Sequence, residues 1–319
     1  MLFQTTKQPT ELKITHLNKV KKQREQQLLL EMGDKKSLKS SLKKSLKQAI
    51  LDKTKKSKDQ GNVFVLDFHG DIKASHVQQL REEISAILTI AEAGDEVIVR
   101  LESGGGMVHA YGLAAAQLAR IKDAGLTLTV CVDKIAASGG YMMACVADKI
   151  LAAPFAVVGS IGVVAQMPNV HDLLEKHDID VEVFTAGKYK RTVTVFGKNT
   201  PEDKQKFQQE LEETHRLFQD FVTQYRPQLD LDKVATGEHW YGEDAINLKL
   251  VDQLTTSDSY LMGEMKNRQV YLVHTRKKPT LAEKLGLTQA AQAVVKTAID
   301  QLPDALLTLE SSKLPMFKK

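Results

Sequence analysis

From Asn62 onward, short apolar runs alternate with longer segments whose apolar residues recur every three or four positions. Val63-Phe64-Val65-Leu66-Asp67-Phe68 predicts a strand, Gly70-Asp71-Ile72 a turn, and the stretch from about Ser75 to Glu92 a helix. A second strand, Val97 to Leu101, runs into Glu102-Ser103-Gly104-Gly105-Gly106, and Met107 to Asp123 is helical. The apolar run Leu126 to Val132 is a third strand, and Tyr141 to Val146 a short, tightly packed helix. Further strands are expected at Lys149–Leu151, Ile161–Val164, Val181–Phe184 and Val270–Val273. A charged helix spans Pro201 to Tyr225, and short helical pieces with the single Trp240 fill Ala235 to Asp252. From Lys277 a tail with some helical pattern at Leu287–Ile299 reads as peripheral. Strands alternating with helices at this spacing predict an α/β domain with a largely parallel sheet.

Residues 12–60 follow another rule. Lys-rich and Leu-rich pieces alternate, and Leu38, Leu42, Leu46 and Ile50 recur every four residues, as in an amphipathic helix with a basic face. A solvated linker fits the same composition equally well. The net charge of +4 conceals this asymmetry: residues 1–60 hold 16 basic and six acidic side chains, or +10, leaving −6 on the rest. Attraction to an anionic membrane surface suits such an arm, at roughly 1 kcal/mol per Lys. Nucleic acid suits it poorly, because a single Arg and no Tyr or Trp are interleaved for stacking. The expected organisation is a basic arm over 1–60, a catalytic-sized domain over 61–275 and a tail over 276–319.

Hydrophobic content of 42% and charged content of 26% are those of a soluble globular chain with a real core. Cys131 and Cys145 lie in apolar segments without metal-ligand spacing and are expected to be buried. No secretory leader is expected. The longest uncharged run, Ile150 to Val170, is broken by Pro154, Gly159, Gly162 and Pro168, and predicts two short strands around a turn instead of a membrane span.

Chemistry gathers at two glycine-rich turns after strands, where α/β sheets place their sites. Ser138, in Ala136-Ala137-Ser138-Gly139-Gly140, stands between strand and helix. It is either an ordinary N-cap or an exposed nucleophile beside unpaired N–H groups. If its strand neighbours Val97–Leu101, the Gly104-Gly105-Gly106 turn faces it and supplies donors for an acyl-transfer oxyanion. Phosphate binding is the poorer reading, since neither G-x-x-x-x-G-K-[ST] nor G-x-G-x-x-G is present. For the base, His109 is the best-placed histidine, and Lys188 and Lys190 are lysines that burial could neutralise. Spacing alone leaves these three open.

The segments Glu102-Ser103-Gly104-Gly105-Gly106-Met107-Val108, Ala136 to Tyr141 and Val158-Gly159-Ser160-Ile161-Gly162-Val163 resemble the signal peptide peptidase family. Thr185-Ala186-Gly187-Lys188-Tyr189-Lys190-Arg191 and Thr236-Gly237-Glu238-His239-Trp240-Tyr241-Gly242 resemble its SohB branch, collinearly from about Val63 to Val273. The resemblance implies a ClpP/crotonase-like fold of repeated β-β-α units and a Ser–Lys dyad peptidase that uses no metal or cofactor. It assigns Ser138 as nucleophile, Lys190 as general base, Ser160 as the residue orienting the lysine amine, and Gly105 and Gly139 as the oxyanion-hole positions. One departure is Gly104, where the family usually carries Pro, which frees the turn's φ. The resemblance further implies signal-peptide-like or unfolded peptide substrates and homo-oligomeric rings that sometimes share catalytic residues. It also implies a membrane-spanning segment ahead of the arm, with the catalytic body on the periplasmic side of a bacterial inner membrane. Two other classes compete: a crotonase-like acyl-CoA enzyme, for which Glu102 is the one obvious nearby acid, and a catalytically silent scaffold that binds peptides or membranes through the arm.

Overall fold

Alternate side chains of the strand Asn62–Gly70 enter two separate cores, and this sets the architecture. Phe64, Leu66 and Phe68 pack into one, Val63 and Val65 into the other. In the computed structural model, residues 10–34, 36–43 and 61–277 are described. The elements run β1 (Thr10–His16), α1 (Leu17–Glu31), β2 (Asn62–Gly70), α2 (Val77–Leu88), β3 (Glu96–Ser103), α3 (Val108–Asp123) and β4 (Thr127–Val132). Then follow β5 (Ile135–Ala137), α4 (Gly139–Ala144), β6 (Lys149–Ala152), β7 (Val157–Gly159), α5 (His171–Glu175) and α6 (Pro201–Tyr225). The remainder is α7 (Leu231–Val234), β8 (His239–Tyr241), α8 (Gly242–Asn247), β9 (Gln253–Leu254), α9 (Ser257–Glu264) and β10 (Gln269–Lys277).

Contacts divide the chain into a unit of Lys13–His274 and a small one of residues 1–12 with 275–319. Of the small unit, only the first three residues of β1 and the last three of β10 are described. The large unit thus takes in α1 ahead of the composition shift at residue 61. Leu46, Ile50 and the Leu287–Ile299 pattern lie outside the described residues.

Strands β10, β2, β3, β4, β6 and β9 form a parallel sheet in that order. Helices α2, α3 and α4 cover one face through Leu80, Ile84, Leu118 and Tyr141. On the other face Ile98, Cys131 and Leu151 pack against Leu261 of α9. Parallel strands covered on both sides read as continuous apolar runs, which is why β3 and β4 were so plain in the sequence. Cys131 and Cys145 are buried, as expected, and burial raises both thiols, Cys131 to about 12.

A short strand branches off this sheet. After β4, the chain turns at Asp133-Lys134, and β5 pairs in parallel with the last residue of β3, Ser103 opposite Ala136. β7, which follows β6 in the same way, pairs in parallel with β5, and β8 joins it antiparallel. The two main strands β4 and β6 are thus each followed by a short strand off the main path, β5 and β7, as in the ClpP/crotonase-like fold of β-β-α units. The strand expected at Ile161–Val164 lies earlier, at β7, because Ser160 takes a left-handed backbone (φ 53°) that ends the ladder. Val181–Phe184 forms no strand, and Phe184 is 87% exposed.

Helix α6 begins where Thr200-Pro201-Glu202-Asp203 forms a capping box. The Thr200 side chain accepts from the Asp203 N–H, and the Asp203 carboxylate accepts from the Thr200 N–H. At its other end, the buried Arg226 donates twice to Asp252 (2.8 Å each) and once to the Lys249 carbonyl. Asp252 also accepts from the Ile150 N–H of β6, so this pair fastens α6 to the sheet. Removing the guanidinium leaves a partly buried carboxylate without its counter-charge. Arg226→Ala is expected to lower the unfolding free energy by about 3 kcal/mol in urea titrations, with Arg226→Lys in between.

Candidate active site

Ser138 ends β5 and starts α4 with φ 52° and ψ −120°, a conformation that costs a non-glycine residue about 1–3 kcal/mol. Two bonds hold it there: its N–H donates to the Gly159 carbonyl (2.8 Å), and its own carbonyl accepts from the Met142 N–H (2.9 Å). The side chain makes no capping bond, so the plain N-cap role does not account for it. Helix α4 behind it is wholly buried, and Tyr141 anchors it by donating to the Leu250 carbonyl (2.9 Å). In the β5–β7 register Ala137 lies opposite Gly159, so Ser138 and Ser160 leave the ladder side by side. Both have left-handed backbones, and the Ser160 N–H is held by the Glu238 carbonyl at 2.6 Å.

The β3–β5 pairing brings the glycine turn to the same place. Gly105 has φ +89°, and a Cβ on it would sit 2.7 Å from the Gly139 nitrogen and 2.8 Å from the Ser138 Cβ. Gly139 is equally constrained, since a Cβ there would overlap the Tyr111 ring. The Gly105 N–H donates to Ser103 Oγ at 3.1 Å and is therefore occupied. Among the described residues, the N–H groups of Gly106 and Gly139 have no partner. The resemblance named Gly105 and Gly139. In the structure the unpartnered N–H groups among the described residues are those of Gly106 and Gly139, and the Gly105 backbone lies closest against Ser138.

These groups open on a cleft of about 960 Å³. Met107, Met142, Val163, Val164 and Phe218 supply its apolar lining, while Thr214 and His215 reach it from α6. Among the described residues, His215 is its one titratable ring, and no Asp, Glu, Lys or Arg lines it. His215 Nε2 lies 3.2 Å from the Ile161 carbonyl, which can only accept, so that nitrogen carries the proton. An apolar, uncharged cleft with a strained serine and two bare amides is built for a neutral substrate that acquires negative charge on oxygen.

Comparison with known proteins agrees. The profile of peptidase family S49 matches residues 120–271, and that of the family's N-terminal region matches residues 2–118. The chain belongs to peptidase family S49. Within it, the chain is 64% identical over 233 residues to the probable protease SohB of Haemophilus influenzae, covering 73% of this chain and 66% of that protein. It is 56% identical to the probable protease SohB of Buchnera aphidicola subsp. Schlechtendalia chinensis, over 67% of this chain and 71% of that one. The chain therefore spans about two thirds of the length of these curated relatives, and it sits on the SohB branch of the family. The ClpP protease catalytic domain of Plasmodium falciparum superposes with a TM-score of 0.37 at 10% identity, covering 61% of this chain and 86% of that one.

The S49 frame brings together Ser138, Gly105, Gly139 and Ser160, all of which line the one cleft. Lys190 is elsewhere. It is exposed and lines a separate recess with Val181, Phe184 and Phe196. Lys188 is also outside, and its ammonium is held above the usual lysine range by Tyr189 and then by Glu202, the reverse of what a base needs. His109 is exposed and lines neither the cleft nor that recess. Glu102 points into a different pocket, where Lys134 Nζ grips both its oxygens at 3.0 Å. The acyl-CoA alternative thereby loses its acid.

No pattern in the sequence marks Thr214, His215 or Phe218 as cleft residues, or Ser103 as the partner of Gly105. An amphipathic stripe says which face of a helix is covered, not what covers it. The close approach at Gly105 has a measurable consequence. Gly105→Ala should cost about 1–3 kcal/mol of stability through its backbone strain and block labelling of Ser138 by a serine-acylating probe. Exposed Lys190→Ala should leave the unfolding free energy from urea titration unchanged within about 0.5 kcal/mol.

Proposed function

We propose that this protein is a serine endopeptidase acting on unfolded or signal-peptide-like segments through a Ser138–Lys190 dyad. The observation that carries the reading is Ser138, held in a strained turn beside the unpartnered Gly106 and Gly139 amides in an uncharged cleft. Ser138 Oγ attacks the scissile carbonyl, its proton passes to the Lys190 amine, and the former carbonyl oxygen takes the Gly106 and Gly139 N–H groups. Collapse breaks the C–N bond, and the protonated amine returns its proton to the leaving nitrogen. Water then attacks the acyl-enzyme and gives one proton to the same amine; the Ser138 Oγ–carbonyl bond breaks, the acid product leaves, and the ammonium returns its proton to Oγ. Ser160 orients the amine. No metal or cofactor enters any step.

The position of Lys190 outside the cleft of its own chain supports a dyad assembled between copies. The segment that carries it keeps Val164, Phe184, Tyr189 and Phe196 exposed, as expected of a surface covered by a second chain. Insertion beside a neighbour's Ser138 would also desolvate the amine, the condition under which a lysine is neutral enough to accept a proton. Mixing Ser138→Ala with Lys190→Ala chains decides the point. Each variant alone should be inactive, and a mixture should regain about a quarter of wild-type peptide hydrolysis, the chance in a symmetric ring that an intact serine meets an intact lysine. No recovery on mixing would place both members of the dyad in one chain.

The basic arm is proposed to hold the protein to a membrane, with the catalytic body on the periplasmic side of a bacterial inner membrane. Among the described residues no helix is long and apolar enough to cross a bilayer. The end of α1 does present Leu28, Leu30 and Met32 at 63–77% exposure in a region carrying Lys19, Lys36 and Lys39. Binding to anionic phospholipid vesicles should weaken about fivefold per Lys→Gln change at 19, 36 and 39, following roughly 1 kcal/mol per charge. Uncharged vesicles should bind little.

A further inference from the structure

The donors of the cleft depend on how the Gly104-Gly105-Gly106 turn is held, and the turn is held from beneath by a chain of buried hydroxyls. Tyr111 Oη donates to the Asp71 carbonyl at 2.7 Å, which uses its only proton, so the 2.6 Å contact with Ser103 must have Ser103 Oγ–H donating to Tyr111. Ser103 Oγ in turn accepts the Gly105 N–H at 3.1 Å. The direction of every bond is therefore fixed: Gly105 N–H to Ser103, Ser103 to Tyr111, Tyr111 to Asp71. Ser103 is 2% exposed and Tyr111 0%, so water does not compete for these groups.

The anchor of the chain is itself braced. The Asp71 carboxylate accepts the Ser75 N–H (2.8 Å) and the Lys73 N–H (3.1 Å), which closes the loop after β2 on itself. The next carbonyl, Ile72, accepts the Met107 N–H at 2.8 Å. Two successive carbonyls of one loop thus hold the glycine turn, one directly at Met107 and one through Tyr111 and Ser103. With Gly105 turned inward and Met107 tied down, the Gly106 peptide between them has little freedom.

We infer that Ser103 and Tyr111 are positioning residues that turn the Gly105 amide inward so that the Gly106 amide serves the oxyanion. They touch neither the substrate nor the reacting atoms. This inference rests on the peptidase reading of Ser138, and its test keeps the two apart. Three ligands of one sequence are used on the purified protein: a cleavable peptide, a peptide boronate that adds to Ser138, and an uncleavable peptide amide.

Ser103→Ala and Tyr111→Phe should each lower kcat about 10- to 100-fold with KM nearly unchanged, the scale on which a small misplacement of catalytic groups acts. Boronate affinity should fall by the same factor while peptide-amide affinity holds. Hydrogen exchange on the wild type needs no variant: the Gly105 amide should be protected and the Gly106 amide exchange freely until boronate is added. Wild-type kcat and boronate affinity in the folded variants, or a protected Gly106 amide in the free protein, would overturn the inference and leave the peptidase reading intact. A wild-type protein that takes no boronate on Ser138 would overturn both.

Discussion

Three residues of β5 hold the site together. Ile135, Ala136 and Ala137 pair with the end of β3 on one side and with β7 on the other, and each pairing delivers a different component. The β3 contact sets the glycine turn against Ser138, and the β7 contact sets Ser160 beside it. A slip of one residue would reverse every side chain of the strand and separate all three. So short a strand does not define its own register. Flanking bonds define it: Asp133 accepts from both the N–H and the hydroxyl of Ser257, and the Lys134 carbonyl accepts from the Val157 N–H at 2.8 Å.

That support allows the site to hold features a loose loop would relax. Ser138 and Ser160 both occupy left-handed backbone, and two amides stand without partners in the cleft. Bare amides are costly where water is excluded and become useful only when charge develops in front of them. The stiffness comes from the fully buried Tyr141 and Met143 behind Ser138, and from the carbonyls of Asp71 and Ile72 beneath the glycine turn. Packing energy far from the cleft thereby becomes fixed geometry within it.

How much of this the sequence disclosed follows from which interactions are local. β2, β3, β4, α3 and the bounds of α6 were legible because buried parallel strands and capped helices write themselves as runs and periods. β5 was not, since Ile-Ala-Ala carries no alternation and its pairing partners lie 33 residues before it (Ser103 opposite Ala136) and 22 after (Val157 opposite Ile135). The strand expected at Ile161–Val164 falls instead at Val157–Gly159, ahead of the backbone turn at Ser160, which the apolar run does not reveal. Ser138 was nominated by its place between a strand and two glycines, and its neighbours in the cleft came from the family resemblance. Three consecutive glycines are degenerate in sequence. Only the backbone of Gly105 and the buried Ser103 hydroxyl tell which amide faces inward.

The composition of the cleft explains why a lysine is a reasonable partner for this serine. The His215 ring has committed Nε2 to the Ile161 carbonyl, and among the described residues no hydrogen bond joins it to Ser138. Among the described residues, no carboxylate that could support a histidine as base lines the cleft. An imidazole there would lack the third member that fixes its tautomer and steadies its cation. An amine needs neither. An amine has a single nitrogen and no tautomer to set, a hydroxyl such as Ser160 would suffice to aim it, and an uncharged, apolar wall favours its neutral form before the reaction. A proton passed from Ser138 to such an amine would give the cleft one positive and one negative centre. The negative one is met by amides already in place. The same surroundings that make the free amine a base thus keep the charge separation short and paired.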